Sequence, residues 1–446
     1  MKYMKLSKHL TPLFETPDGD GAWFGYYNYD PLNHDQTRLL CQRTSNDAQV
    51  IKKGMTVDIG YYELNDGTWH PIGLSDSYNY PQGCMAQWLP GESNKSCVIY
   101  NTSKNNRLIS KIFNIETNDI REIDWPIYGL TPDGKKSIAI DLERSYYSLA
   151  YHYESVINEE KNKRIADGDG IFEIDLETNT RKCLIPIEKI IAIDKEIYFD
   201  ECNHWLEHVM ISKSGKRFCF LHRFAQSTNP NKRITRLCIA DIDGSNLQVI
   251  EGWRNFSWSH FGWDGDDAFS IYTYERSQVC QSNQKNVSNI VTETTKRNNR
   301  SLIRRLISIV PASVRKEIRI RLKGQKQYYQ YYKLNGDKFS LSENYRYRPF
   351  DIDGHQNYTN DRKYMVCDTY PDDQNYQRLI VYNKEKHAAL MLGKLYAGLN
   401  GKPGTCDLHP KLCSDNNFLM IDTAYNGKHH LKLFRLNWNL INEYFS

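Results

Sequence analysis

The sequence predicts an all-β fold, a seven-bladed β-propeller made of one domain over residues 1–446. Three observations carry this prediction. One plan of residues recurs along the chain. Short runs alternate apolar and polar residues between turn-forming pairs, the period of β-hairpins. Seven units of about 45 residues, with two insertions, account for the length.

Each unit opens on a polar residue or His and passes a turn such as PDG or KSG. It then enters a β-branched and aromatic run that ends on a polar residue. YGLTPDGKKSIAID (128–141), HVMISKSGKRFCFLH (208–222), HQNYTNDRKYMVCD (355–368) and HPKLCSDNNFLMID (409–422) share this plan. A second hairpin follows in GIFEIDLETNTRKCL (170–184), TRLCIADIDGSNLQVI (235–250) and QRLIVYNKEKHAALML (377–392). Two hairpins make a four-stranded antiparallel sheet, which is one blade. The units begin near Trp23, Gly83, Tyr128, His208, His260, His355 and His409. The third carries an insertion over 146–168 and the fifth one over 278–326.

Composition excludes several classes. The chain has 40% apolar and 13% aromatic residues, including 31 Tyr and 9 Trp, and a net charge of +4. It contains no run of about 18 uncharged apolar residues, so no membrane-spanning helix is expected. The aromatic content argues against general disorder. The near-neutral total gives no footprint for nucleic acid. The opening MKYMKLSKHLTPLFETPDGDG has no apolar core and no small-residue cleavage site, which predicts a cytoplasmic protein. The 11 Cys are odd in number, scattered and without a CxxC pair, so reduced thiols are expected.

Residues 291–326 break the plan. From Lys296 to Lys326 there are 11 Lys/Arg and one acid, a net of +10 that leaves −6 on the rest. Leu302, Ile303, Leu306, Ile307 and Val310 recur at helical spacing, and Val314 and Ile318 follow Pro311. This predicts a basic amphipathic helical hairpin inserted in blade 5. It suits peripheral contact with an anionic membrane through 296–326, contact with an anionic polymer, or packing against the propeller rim.

The innermost strands of a propeller line its channel, and their first residues reach one mouth. Those positions are polar here: Tyr26 and Tyr27, Gln82 and Gln87, His204 and His208, His260, Asp353 and His355, and Asp407 and His409. His260, His355 and His409 come from consecutive blades. They suit Zn or Mn, with Cys406, an Asp or water in the fourth position, or they bind substrate directly as hydrogen-bonding rings. In blade 4, His204, His208, His222 and Arg223 combine titratable imidazoles with a permanent cation. That suits acid–base work on an anionic substrate, unless Arg223 is a salt-bridge partner between blades.

FGYYNYDP (24–31), QGCMAQWLPG (82–91), VIYN (98–101), YGLTPDGKKSIAIDLER (128–144), RFCFLHR (217–223), SHFGWDGDD (259–267), DGHQNYTNDRKYMVCDTYPD (353–372) and CDLHPKLCSDN (406–416) occur in order. Together they resemble the propeller polysaccharide lyases of the oligogalacturonate lyase and ulvan lyase kind. The resemblance implies β-elimination at a uronic acid. A cation neutralises the carboxylate, a base removes the C5 proton, and an acid protonates the leaving O4. It implies Arg223 as the neutralising cation and His208 or His204 as the base. Ulvan lyases carry a Tyr about 16 residues before that Arg, where this chain reads Leu206, Glu207, His208. Tyr128 of another blade is the expected substitute. His222, Asp353, Asp368 and Tyr370 join Tyr26, Tyr27, Gln82 and Gln87 as substrate-binding candidates. The expected partner is an acidic oligosaccharide or polysaccharide. The competing expectations are a non-catalytic acidic-glycan binder of surface polysaccharide metabolism and a protein-interaction scaffold.

Overall fold

The hairpins form where their turn chemistry puts them. Strands Gly170–Asp175 and Thr180–Pro186 pair with Asp175 opposite Thr180, and Asn179 takes the left-handed conformation of the turn (φ 55°). The same logic repeats through seven antiparallel sheets. The computed structural model describes residues 3–144, 151–156, 163–226, 232–276 and 326–446. The first strands of the blades are Ala22–Trp23, Gln87–Trp88, Gly129–Leu130, Cys202–Ile211, Phe256–Trp263, Gln356–Tyr358 and Lys411–Leu412. Each lies within a few residues of a predicted unit start, and the result is a seven-bladed β-propeller.

The N-terminus closes the ring. Strand β1 (Met4–Leu6) pairs with Ala388–Tyr396 as a fifth strand of blade 6. Strand β2 (Leu10–Glu15) pairs with His430–Leu436 and supplies the outer strand of blade 7. The sequence reading starts the first unit near Trp23. Pairing across nearly the whole chain leaves no trace in local periodicity.

In four blades, the polar residue that ends the repeat run clamps that blade to the next. Gln42 donates from Nε2 to the Phe24 carbonyl (3.0 Å) and accepts from the Cys84 amide (3.0 Å). Asn101 holds both the carbonyl and the amide of Ile127. Asp368 accepts from the His409 amide (3.0 Å), and Asp422 accepts from the Phe24 amide (2.8 Å). All four are buried. Removing a buried partner of this kind costs about 1–3 kcal/mol.

Among the described residues, two α-helices decorate the ring. α1 (Ile187–Ala192) buries Ile187, Ile190 and Ile191, and Arg236 donates to the carbonyls of Ile190 and Ile193 at its C-terminal end. α2 (Trp438–Phe445) is capped by Asn437 and buries Ile441 and Phe445. No helix among the described residues is long and apolar enough to cross a membrane.

The insertions in blades 3 and 5 join the second strand to the third, as does the shorter loop of blade 4 after Gln226. They therefore leave the ring on one face. The predicted basic hairpin at 291–326 lies outside the described residues except for Lys326.

Candidate functional site

Two bulges aim histidines into the channel. In Cys202–Ile211 the register slips by one residue between Glu207 and Met210, and His208 sits in the slip with φ 58°. In Phe256–Trp263 the same slip falls between Trp258 and Phe261 and holds His260. An extra residue re-aims a side chain that regular pleating would direct elsewhere. His355 and His409 come from the matching positions of blades 6 and 7.

These rings form a continuous wall with Tyr26 and Tyr27 of blade 1. The His260 and His355 centroids lie 4.0 Å apart, and those of His355 and His409 4.2 Å apart. Tyr27 packs on His355 (4.9 Å), and Tyr26 bridges His409 (5.8 Å) and His208 (5.2 Å). Tyr151, from the described part of the blade 3 insertion, sets its edge against His208 (4.6 Å).

On one side of Tyr26 lies a donor set. His355 Nδ1 faces the Asp368 carboxylate at 3.1 Å, and His409 Nδ1 faces the Gly25 carbonyl at 3.0 Å. Both rings therefore keep Nε2 free, the arrangement in which the partner of one nitrogen orients the other for a ligand. Burial first, then neighbouring positive charge, holds both pKa values well below the ordinary histidine range, so both are neutral. The ligating atoms of His355, Asp407 and His409 lie within 4.8 Å of one another. Two neutral imidazoles and a carboxylate fit a divalent cation such as Zn or Mn.

His260 stands beside this group with both nitrogens engaged. Nδ1 meets Asp353 at 3.1 Å and Nε2 meets the Tyr370 hydroxyl at 3.3 Å. Burial opposes its charge, but the Asp353 carboxylate, together with those of Asp407 and Asp368, outweighs burial and raises its pKa. Tyr274 donates to the second oxygen of Asp353 at 2.8 Å.

On the other side of Tyr26 lies an acid–base set. Arg223 donates from Nη1 to Glu207 Oε2, and Trp205 Nε1 donates to Glu207 Oε1 at 2.5 Å. His208 Nδ1 lies 3.1 Å from Glu207 Oε2. Burial alone would raise the Glu207 pKa; the Arg223 charge together with the His208 and Trp205 interactions outweighs it and lowers the value to about 2. Burial lowers His208 to about 4, only partly offset by Glu207, so the ring is neutral at pH 7.

The expected residues divide into those that converge here and those that do not. Tyr26, Tyr27, His208, Arg223, His260, His355, His409, Asp353, Asp368 and Tyr370 belong to one connected cluster. His204 and His222 do not. The pairs Trp205↔Arg223 and Leu206↔His222 put them on the opposite face of blade 4. There they bond to each other (3.0 Å) and pack on Phe224. Gln82 donates to the Tyr128 hydroxyl (2.7 Å) and Gln87 to the Tyr128 carbonyl (2.9 Å), so all three tie blade 2 to blade 3. Cys406 packs against Leu399 and Ala424, and its neighbour Asp407 stands with the histidines instead. Asp353 and Asp368 orient His260 and His355 from behind. The sequence reading does not single out Tyr151, because an insertion has no repeat position to mark it.

No known protein family matches the sequence, and no curated protein does. Solved structures do match. An oligogalacturonate lyase in complex with manganese superposes at TM-score 0.58 over 96% of this chain and 93% of that one, with 14% identity. The oligogalacturonate lyase of Vibrio parahaemolyticus superposes at TM-score 0.56 over 97% and 96%, also with 14% identity. The chain thus has the seven-bladed fold of the propeller oligogalacturonate lyases.

Proposed function

We propose that the channel mouth binds a uronic-acid oligosaccharide and cleaves it by β-elimination. The observation that carries this reading is the continuity of the wall. A neutral, buried His208 and a cation-ready group of His355, Asp407 and His409 meet across Tyr26. The proton α to a carboxylate is weakly acidic, so the reaction needs charge stabilisation beside the carboxylate and a base on C5.

His208 is the base. Its depressed pKa keeps it unprotonated, and Glu207 beside Nδ1 steadies the imidazolium that forms. The Tyr26 hydroxyl, buried beside Tyr27, returns a proton to O4. Burial raises its pKa far above neutrality, so it arrives protonated. Tyr128, the tyrosine expected from sequence, already accepts a hydrogen bond from Gln82. His355, Asp407 and His409 would hold a divalent cation, which would supply Lewis-acid stabilisation of negative charge.

A panel of uronic-acid polymers, read by the ultraviolet absorbance of the unsaturated product, tests this. His208→Ala is expected to lower the rate by about 10²–10⁴-fold. No product from the parent protein on any polymer, with tight glycan binding, overturns the lyase reading. It would favour a glycan-binding propeller, a second reading that the neutralisation of Arg223 by Glu207 supports. Metal analysis of protein purified without chelator tests the donor set. His355→Ala and Asp407→Ala are expected to lose the ion, while Cys406→Ala keeps it.

A further inference from the structure

Arg223 cannot greet a substrate carboxylate as a free cation. Its guanidinium already holds Glu207, and both side chains are buried. A buried Arg–Glu pair presents almost no net charge to an incoming ligand. Apart from the cation that His355, Asp407 and His409 would hold, the blade 4 side of the mouth needs a further positive group if it is to select an acid.

Blade 4 supplies one. Its second and third strands, Arg217–Gln226 and Ile234–Asp241, pair with Arg223 opposite Thr235 and Phe224 opposite Ile234. Side chains alternate between the two faces of a sheet. Arg233, one residue before the third strand, therefore shares the face of Thr235, Arg223 and Glu207. It lies two positions nearer the face from which the insertions leave. Unlike Arg223 it is exposed. No hydrogen bond or ion pair engages its guanidinium among the described residues.

Its electrostatic surroundings agree. The Arg223 charge is the largest influence on Arg233 and lowers its pKa, with Glu207, Tyr151 and Tyr370 also within reach. Two guanidiniums facing one carboxylate leave a surplus of one positive charge beside His208. A single substrate carboxylate would relieve it, and a guanidinium can take that carboxylate through two parallel hydrogen bonds.

We propose that Arg233 is the residue that recognises the uronate carboxylate, and that Arg223 is a positioning residue that holds Glu207 against His208. This rests on the uronate reading above and assigns its selectivity to a residue outside the repeat pattern. The site would then favour the free acid over its ester or a neutral sugar.

Calorimetric titration of the full chain with trigalacturonate and with its methyl ester tests the assignment. The parent is expected to prefer the acid by on the order of tenfold or more, the value of one charge-assisted contact. Arg233→Gln is expected to remove that preference by weakening the acid and leaving the ester unchanged. Arg233→Lys should restore part of it. The residue is exposed, so both variants should keep the parent's unfolding midpoint. A preference that survives Arg233→Gln overturns the assignment and leaves the uronate reading standing. A parent that binds neither ligand, or both equally, overturns the uronate reading itself and the assignment with it.

Discussion

Glu207 changes what its neighbours can do. It keeps Arg223 from acting alone, and it sits against the ring that would take the proton. Breaking a buried pair leaves an uncompensated charge, so Arg223→Ala is expected to destabilise the fold by about 3–5 kcal/mol in denaturant unfolding. The double variant Arg223→Met, Glu207→Leu should recover most of that loss. A double variant no better than the single one would show that the cost lies in packing. The residues of this site were unequally legible in the sequence. His260, His355 and His409 open repeated units, so the repeat itself announced them. Cys406 and Asp407 are adjacent, and spacing cannot say which of two neighbours turns toward a histidine. His204 and His208 looked equivalent because both precede the same turn. The bulge at His208 separates them, and no residue type marks a bulge in advance. Arg233 and Tyr151 lie at loops, where periodicity carries no information.

At the scale of elements, the repeat was readable because each blade buries the same pattern. The polar residues Gln42, Asn101, Asp368 and Asp422 were visible as letters but not as clamps. The partner of each is a backbone amide in the next unit, and backbone amides have no sequence signature. The N-terminal strands were hidden for a related reason. β1 and β2 have no hairpin partner nearby, since they pair with strands at the far end of the chain. Removing residues 1–15 leaves blades 6 and 7 with bare outer edges. We expect a fall of several degrees in unfolding temperature and a new tendency to associate, read by scanning calorimetry and light scattering. An unchanged midpoint would mean that the ring is held by its inner clamps alone.

At the scale of the molecule, buried ionisable groups set the dependence of stability on pH. His204 and His208 are lowered to about 4 by burial, and His222, His355 and His409 lie well below the usual value. Unfolded, such rings bind protons below about pH 6.5. Their contribution is therefore complete above that pH and is lost as pH falls toward 4. Asp368 and Asp407 act in the opposite sense. Burial raises each to about 7, so the fold holds protons that the unfolded chain releases near pH 4. Their contribution is lost as pH rises through about 7. Denaturant midpoints of metal-free protein are expected to peak between these limits, near pH 6–7, and to fall on both sides. A plateau extending to pH 9 would remove the carboxyl part of this account.

The closure of the ring also imposes an order on synthesis. β2 is made long before its partner His430–Leu436. At about 5–20 residues per second, the strand waits roughly 20–80 s with its edge unpaired. Blades 1 to 5 can assemble meanwhile from local hairpins, whereas blades 6 and 7 acquire their outer strands only once Ala388–Tyr396 and His430–Leu436 have been made. The nascent chain is therefore an open arc, vulnerable at β2, until that strand meets its partner.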